Sequence, residues 1–443
     1  MNRSPARRRR AATKALRGFC FLIACLATIP ASAGAATQTE IDAAVANAVA
    51  YTRSQQDPST GALVGFGGDW AVASLAAAGI DAAEVHGPLA GAPSLQDFQL
   101  SEYSAPGWTA APSDPVTEYE RAILVAHAAG LDPARISADS NLPAQIAGLW
   151  NPATGSFGTA STNGTAFAVL ALATTPMPSW ALAPAVSFLR QNRHDDGGWN
   201  YGPATTPAQK AATSDPDMTG AVIGAFCEAG LPAYDADVAS GLGFLNARLV
   251  EGTGAIHSDF GDNADTTAWA VSGLNACGID PQSAEWTTAA GKTPIDHLLS
   301  LQVPSGAEAG GFGYSDNSGA VLYSTQDALR AIAGGAFTAT PASLRSTPSV
   351  ATGTPVPHTL VIGRGSGDVR ICKVTAPAGA SLTQLLGAAQ AESLPSGCVS
   401  GFSVEGGRVT AINGVAPESI DRAWLLRLDR GAEVAAADQP VGF

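Results

Sequence analysis

Apolar positions along this chain recur three and four residues apart in stretches such as IDAAVANAVAYTRSQQ from Ile41 and APAVSFLRQNR from Ala183. That spacing lays one face of a helix against a core and leaves the other to solvent. These stretches alternate with others that are apolar almost all round: DWAVASLAAAG from Asp69, NGTAFAVLALA from Asn163, DMTGAVIGAFCEAG from Asp217 and DTTAWAVSGLNACG from Asp265. A helix without a polar face is buried on every side. Between an amphipathic stretch and the buried one that follows, glycines bracket a large apolar residue. The turns are GALVGFGG around Phe66, APGW at Trp108, GSFG at Phe157, DDGGWNYG at Trp199, GAIHSDFG at Ile256 and GGFGYSD at Phe312. They recur at about 40 to 57 residues, the length of a two-helix repeat. The pattern therefore predicts a mainly α protein in which six helical hairpins over residues 38–335 close an (α/α)6 toroid, with an inner ring of buried helices inside an outer ring.

Each inner helix opens on a residue suited to capping: Asp69, Thr117, Asn163, Asp217, Asp265 and Ser324. A side-chain oxygen there accepts from the unpaired N–H groups of the first turn, and a carboxylate also suits the helix dipole. Stops are marked by Gly79-Ile80, Gly130-Leu131, Gly230-Leu231 and Gly278-Ile279, where glycine takes the left-handed conformation that ends a helix. Phe66, Phe157 and Phe312 read as plugs packed between neighbouring hairpins. Because all inner helices start at one end of the ring, Trp70, Trp199, Tyr201, Trp269, Tyr314 and Tyr323 converge on its mouth, with Asp69, Asp217 and Asp265 around the rim and His257 in a repeat turn. Those ten residues are the candidate ligand-binding set, since a concave mouth lined by aromatics and a few polar groups is where pockets form. The plainer reading makes the aspartates caps, the aromatics packing and His257 a solvated loop residue.

Beyond Gly334 the repeat fails. Residues 336–357 are rich in Thr, Ser, Pro and Ala and read as a linker. Residues 358–443 contain short β-type runs, HTLVIG, DVRICKVTA, RVTAING and RAWLLRLD, around one helical piece, SLTQLLGAAQAE, and read as a small α+β domain.

Residues 1–33 have a basic start (Arg3, Arg7 to Arg10, Lys14, Arg17), an apolar stretch and Ala31-Ser32-Ala33 as a cleavage site, the layout of a secretion signal. An alternative takes Leu22-Ile23-Ala24-Cys25 as a lipobox, with a lipid on Cys25 as the one attachment to a membrane. No later stretch reaches the ~18 uninterrupted apolar residues of a membrane helix. Removing the signal takes seven of the 24 basic residues and none of the 38 acidic ones, leaving a net charge of −21. No basic cluster remains to neutralise phosphates, so nucleic acid is excluded as a partner. The localisation is extracellular and the protein is read as a monomer. In that compartment four remaining cysteines favour two disulfides. Cys227 and Cys277 lie near the ends of second helices in adjacent hairpins, and Cys372 and Cys398 fall together in the C-terminal domain. No C-x-x-C pair points to a metal.

The turn HDDGGWNYGP and the helix starts DTTAWAV and NGTAFAV resemble the repeats of the α/α-toroid superfamily of terpene cyclases, squalene cyclases and protein prenyltransferase β subunits, over about Ile41 to Gly335. The stretches GASLTQLLGAAQ, RVTAINGVAP and AWLLRLDRG resemble the small β domain of transcobalamin and intrinsic factor, in which a six-hairpin toroid and this domain hold cobalamin between them. The resemblance implies a secreted binding protein for a small ligand such as a corrinoid, with no cofactor required for catalysis.

The motifs of enzymes on this fold are missing. Asp215-Pro216-Asp217-Met218 lacks the last acid of the D-x-D-D of class II cyclases, and Asp262-Asn263-Ala264-Asp265 has another spacing. Aromatics make up only 7% of the chain, few for shielding carbocations. Neither toroid cysteine has the Asp and His neighbours of a prenyltransferase zinc site, the thioester Cys-Gly-Glu-Gln is absent, and Trp286 stands where a phosphate loop ending in Gly291-Lys292-Thr293 needs glycine. No G-x-S-x-G or H-E-x-x-H occurs, so no catalytic residue is assigned. A cyclase-like enzyme with a non-standard site and a cell-surface interaction scaffold remain as alternatives to ligand binding.

Overall fold

The computed structural model describes residues 35–63, 68–87, 89–103, 115–134, 136, 141–175, 182–339, 355–363, 369–377, 380–391, 399–405, 408–414, 426–427 and 433–434. The signal segment with Cys25, the residues Phe66 and Trp108, most of the linker and Cys398 lie outside them.

Among the described residues twelve helices form the two rings, with short helical turns at Ala82–Glu84, Pro207–Lys210 and Ala284–Trp286 in the connections. Outer and inner helices alternate: α1 (Gln38–Ser54), α2 (Trp70–Ala77), α3 (Leu95–Tyr103), α4 (Pro115–Ala128), α5 (Leu142–Gly148), α6 (Thr162–Ala173), α7 (Leu182–Gln191), α8 (Pro216–Glu228), α9 (Ala236–Asn246), α10 (Ala264–Ala276), α11 (Pro294–Ser300) and α12 (Leu322–Ile332). Odd-numbered helices show the amphipathic pattern; α1 buries Ile41, Ala44, Ala48 and Val49 and starts in a capping box between Thr37 and Glu40. Even-numbered helices are largely buried, as α6 shows from Gly164 to Leu172, with Glu118, Arg121 and His127 of α4 half-buried. Each inner helix packs on the next and α12 packs on α2, so the ring is closed. The outer helices α5, α7, α9 and α11 pack on the inner helix before them, and α1 packs on α12.

The closure can be followed atom by atom. Ser74 of α2 donates to the Gln326 carbonyl of α12 at 2.7 Å, and Gln302 donates to the Ala44 carbonyl of α1 at 2.8 Å. Gly310 is left-handed (φ +90°), and a side chain there would lie 2.3 Å from the Asn47 carbonyl oxygen of α1. Only glycine fits both conditions. The expected stops hold as well: Gly79, Gly130, Gly230 and Gly278 are all left-handed.

The plugs obey a common register. Phe157, Trp199, Ile256 and Phe312 are fully buried, and each follows a left-handed glycine by two residues. Their backbone N–H groups donate to hydroxyls on the inner helices: Thr165 at 3.2 Å, Thr219 at 3.0 Å, Thr267 at 3.2 Å and Thr325 at 2.8 Å. By the same register Leu63, buried and two residues after left-handed Gly61, plugs the first hairpin. Phe66, the plug the sequence suggests, lies outside the described residues.

The toroid core runs on through Ala339, past the boundary expected at residue 335: Phe337 and Ala339 are buried with the inner helices. The C-terminal residues form a separate core. There β3 (Pro355–Gly363), numbered after the short toroid hairpin of β1 (His257–Ser258) and β2 (Gly261–Asp262), pairs antiparallel with β4 (Val369–Pro377), β5 (Phe402–Glu405) pairs antiparallel with β6 (Arg408–Ile412), and α13 (Leu382–Ala391) packs on β4. Val374, Leu385, Leu386, Val399 and Ile412 fill it. This is the small α+β domain that the sequence implies.

Candidate functional site

The inner helices run parallel. Their C-terminal ends meet at the Cys227–Cys277 disulfide, which joins α8 to α10, and their first turns meet where Asp217 of α8 neighbours Thr266 and Asp265 of α10. The disulfide is the one expected; Cys372 lies in β4, and its proposed partner Cys398 is outside the described residues.

The C-terminal end of the ring is closed by the chain itself. After α12, residues 335–339 cross it: Asn275 donates to the carbonyls of Ala331 and Gly335 at 3.0 Å each, and Thr338 donates to Glu228 at 2.5 Å. Phe337 inserts edge-on against Phe167 (centroids 5.4 Å apart) and Trp269 (5.2 Å), and Trp70 meets Phe167 at 6.3 Å. These rings form a floor, with Trp70 and Trp269 on its half-buried side. Within the floor lies a buried ion pair. Arg330 donates to Asp327 at 2.7 Å and to Ser272 at 3.2 Å, and its guanidinium lies over Phe337 and Trp70. Trp269 Nε1 donates to the other Asp327 oxygen at 2.8 Å.

The N-terminal end differs from the sequence expectation in an informative way. The caps of α6, α8 and α10 are Ser161, Asp215 and Asn263, which accept from Gly164, Met218 and Thr266. Asn163, Asp217 and Asp265 had been assigned those roles but sit two residues further on, inside the first turn. Relative to the plug-holding threonines the register is uniform: Asn163, Asp217, Asp265 and Tyr323 each precede one by two positions. Freed from capping, Asp217 and Asp265 keep buried Oδ1 atoms with no hydrogen-bond partner among the described residues. Each carboxyl does have one side-chain hydrogen bond, Asp265 with Ser324 of α12 and Asp217 with Thr266 of α10.

Burial pushes the Asp217 carboxyl up to about 7, and the negative charges of Asp215, Asp265 and Asp327 add to it. Burial and then Asp327 raise Asp265 to about 7, against the opposing pull of Ser324 and Arg330. The Asp215 carboxyl is raised as well, by burial. The phenol of Tyr323 is pushed up by burial and by Asp327, and that of Tyr314 by burial and by Asp265 and Asp217. Tyr201 has an exposed ring, but its hydroxyl is raised by desolvation and by Asp217. Backbone contacts hold both rim tyrosines in place: the Thr162 N–H donates to the Tyr201 carbonyl and the Ala264 N–H to that of Tyr314.

Five sequence candidates therefore meet at the mouth: Tyr201, Asp217, Asp265, Tyr314 and Tyr323. Trp70 and Trp269 lie below them in the floor. Three others are engaged elsewhere. Trp199 is 0% exposed and donates to the Leu189 carbonyl at 2.7 Å, so it is a wall plug, not a mouth residue. Asp69 caps α2 and pairs with Arg121 of α4, which also binds Glu118 at 2.5 Å. His257 lies exposed in a short hairpin, paired with Asp262 at 2.7 Å. Asp327, Arg330 and Ser324 were missed as site residues, although LYSTQDALRAI carries an acid and a base three apart on a helix that must be buried. Among the described residues no three His, Cys, Asp or Glu side chains converge as a metal site, and no helix is long and apolar enough to cross a membrane.

No protein-family model and no curated protein matches the chain. Among solved structures, an apo type II terpene cyclase from Scytonema is similar over 67% of this chain and 98% of its own, at 15% identity and a TM-score of 0.45. Haptocorrin in complex with Cbi is similar over 91% of this chain and 95% of its own, at 13% identity and a TM-score of 0.39. A Candida albicans protein geranylgeranyltransferase-I complexed with GGPP covers 41% of this chain and 52% of its own, at 16% identity and a TM-score of 0.28.

Proposed function

We propose that this is a secreted binding protein that holds a small ligand at the N-terminal mouth of its toroid, with the C-terminal domain completing the grip. The observation that carries the reading is the convergence of Tyr201, Asp217, Asp265, Tyr314 and Tyr323 over a floor sealed by Phe337, with buried oxygens left unpaired. Buried polar atoms without partners cost stability, and a site that waits for a ligand supplies the reason to keep them.

The ligand proposed is a corrinoid. The C-terminal stretches GASLTQLLGAAQ and RVTAINGVAP support it by their resemblance to the transcobalamin domain. The rim of a corrin also carries carboxamides whose N–H groups suit carboxylate and phenol oxygens. Secretion, through cleavage after Ala33 or a lipid on Cys25, belongs to the same proposal. The test is titration of the mature protein with cyanocobalamin and hydroxocobalamin, followed by absorbance and calorimetry. Saturable one-to-one binding, weakened in Tyr323→Phe and Asp265→Asn, is expected; no binding at micromolar protein removes the corrinoid.

An enzyme reading rests on one observation, the two carboxyls at about 7. Cyclase chemistry is disfavoured by the sequence, since Asp215-Pro216-Asp217-Met218 lacks the last acid of D-x-D-D. A carboxyl poised near neutrality does suit general acid–base catalysis. Turnover of aryl glycosides, lost in Asp217→Asn, would establish that reading instead.

A further inference from the structure

Four plug residues hang by their N–H groups from threonine hydroxyls of the inner helices, and one of those threonines is bonded differently from the rest. Thr165, Thr219 and Thr325 donate their hydroxyls to the carbonyl four residues back, Ser161 at 2.9 Å, Asp215 at 2.8 Å and Val321 at 2.8 Å. The Thr267 hydroxyl instead meets the ring Nδ1 of His297 at 3.0 Å. The backbone bond of that turn is correspondingly long. From the Thr267 N–H to the Asn263 carbonyl it measures 3.3 Å, against 3.1, 3.0 and 2.9 Å at Thr165, Thr219 and Thr325. Because the Thr267 oxygen already accepts from the Ile256 N–H at 3.2 Å, its own proton goes to Nδ1, and that nitrogen is the acceptor. His297 belongs to α11 and is 3% exposed.

We propose that His297 is an acid-sensitive latch on the segment from Ile256 to Ala264, which carries β1, β2 and the start of α10. A proton on Nδ1 turns the acceptor into a donor, so Thr267 must give up the bond or swing its hydroxyl to the Asn263 carbonyl, as its three counterparts do. Burial makes the charged ring costly and holds it below the ordinary histidine value, while the negative charges of Asp262 and Asp316 oppose this. Asp262 is shared with exposed His257, and Asp296 of α11 is taken up by Thr293. The titratable groups of the helices packed on α11, Asp265 of α10 and Tyr323, Asp327 and Arg330 of α12, are not among the charges that act on the ring. The unfolded chain therefore takes up this proton more readily than the folded one. The latch holds fully at pH 8 and is lost as the pH falls below about 6.5. What loosens is one edge of the mouth: the Ala264 N–H holds the Tyr314 carbonyl at 2.8 Å, and the Asn263 side chain holds Ser258 and Gly261 at 3.2 Å each.

The test is hydrogen exchange, followed by mass spectrometry on the full mature chain at pH 5 and pH 8 and corrected for the intrinsic pH dependence of amide exchange. Peptides containing Ile256 report on the latch. Those containing Phe157 and Phe312 are internal controls, since their threonines bond to carbonyls and not to a histidine. Relative to the controls, exchange around Ile256 should quicken by about threefold to tenfold at pH 5, one pKa unit being tenfold. His297→Asn sets a short polar group where Nδ1 stood, does not titrate and leaves every carboxyl of the mouth in place, so the acid-dependent difference should vanish. Imidazole nitrogen NMR shifts of the unsubstituted protein give an independent reading, with the His297 proton expected on Nε2 at pH 8. An Ile256 rate that follows the controls at both pH values, a difference that persists in His297→Asn, or a proton on Nδ1 at pH 8 overturns the proposal. The experiment contains no ligand, so its outcome and that of the cobalamin titration are separate results.

Discussion

The two ends of the inner ring are built from the same six helices and are opposite in design. At the C-terminal end the chain's polar groups find partners: Asn275 reaches two carbonyls, Thr338 reaches Glu228, Arg330 reaches Asp327 and Ser272, and a disulfide joins α8 to α10. At the N-terminal end, the buried Oδ1 atoms of Asp217 and Asp265 have none among the described residues. Native interiors pair nearly all such atoms, so the mouth is the costlier of the two ends, as are the isolated sites at Trp286 and Gln326 where a buried atom is also unpaired. Places where local rules fail are the places where function is found.

If the floor is structural, its removal must be the most damaging change. Phe337→Ala deletes a side chain that is 1% exposed and touches Phe167, Trp269 and the Arg330 guanidinium. A loss of about 3–5 kcal/mol is expected from the transfer and cavity contributions together, visible as a lower midpoint in urea. A loss under about 1 kcal/mol would mean that residues 335–339 merely cover the ring.

The disulfide should rank next. Cys227 and Cys277 are 50 residues apart, and replacing both with serine is expected to cost about 2–4 kcal/mol through the freedom returned to the unfolded chain. The folded arrangement should survive, because α8 and α10 also approach closely at their glycines: a side chain at Gly273 would lie 2.4 Å from the Gly220 carbonyl oxygen. Reduction that leaves the urea midpoint unchanged would show that this glycine contact alone holds the pair.

How much of the contrast was legible in the sequence follows from the kind of signal each part leaves. Hydrophobic periodicity and the glycine turns specify twelve helices and their inner or outer placement, because burial acts on every residue of a helix. Proximity of Cys227 and Cys277 follows from the repeat register. The floor was not legible: AGGAFTATP has the composition of a linker, and only the empty centre of the ring gives Phe337 somewhere to go. The mouth was half legible. Asp217 and Asp265 were named as rim candidates and also as caps, since Asp-x-Thr at a helix start fits two registers. What decides between them is Asp215 and Asn263, whose side chains accept from the third residue of each helix and so push the later aspartates inward. Trp199 failed as a mouth residue for a related reason: the plug register, fixed by the bond its N–H donates to the Thr219 hydroxyl, points it into the wall.

The gentlest test of the contrast is pH. In the folded chain Asp217 and Asp265 hold their protons up to about pH 7, whereas an unfolded aspartate loses its proton at about 3.9. Between those values the folded state binds more protons than the unfolded one, so stability falls as pH rises through the window and levels off above it. Asparagine at either position removes the titrating group while keeping its shape. Asp217→Asn and Asp265→Asn should therefore melt with the wild type at pH 4 and a few degrees above it at pH 8, the difference opening across the interval. Surface carboxylates in ion pairs, such as Asp235 and Asp237 with Arg190, should show no such gain; their asparagine variants stay level with the wild type or fall below it at pH 8. If the mouth variants instead lose stability at pH 8, the two carboxylates have partners in solution, and the opposition between the ends of the ring disappears.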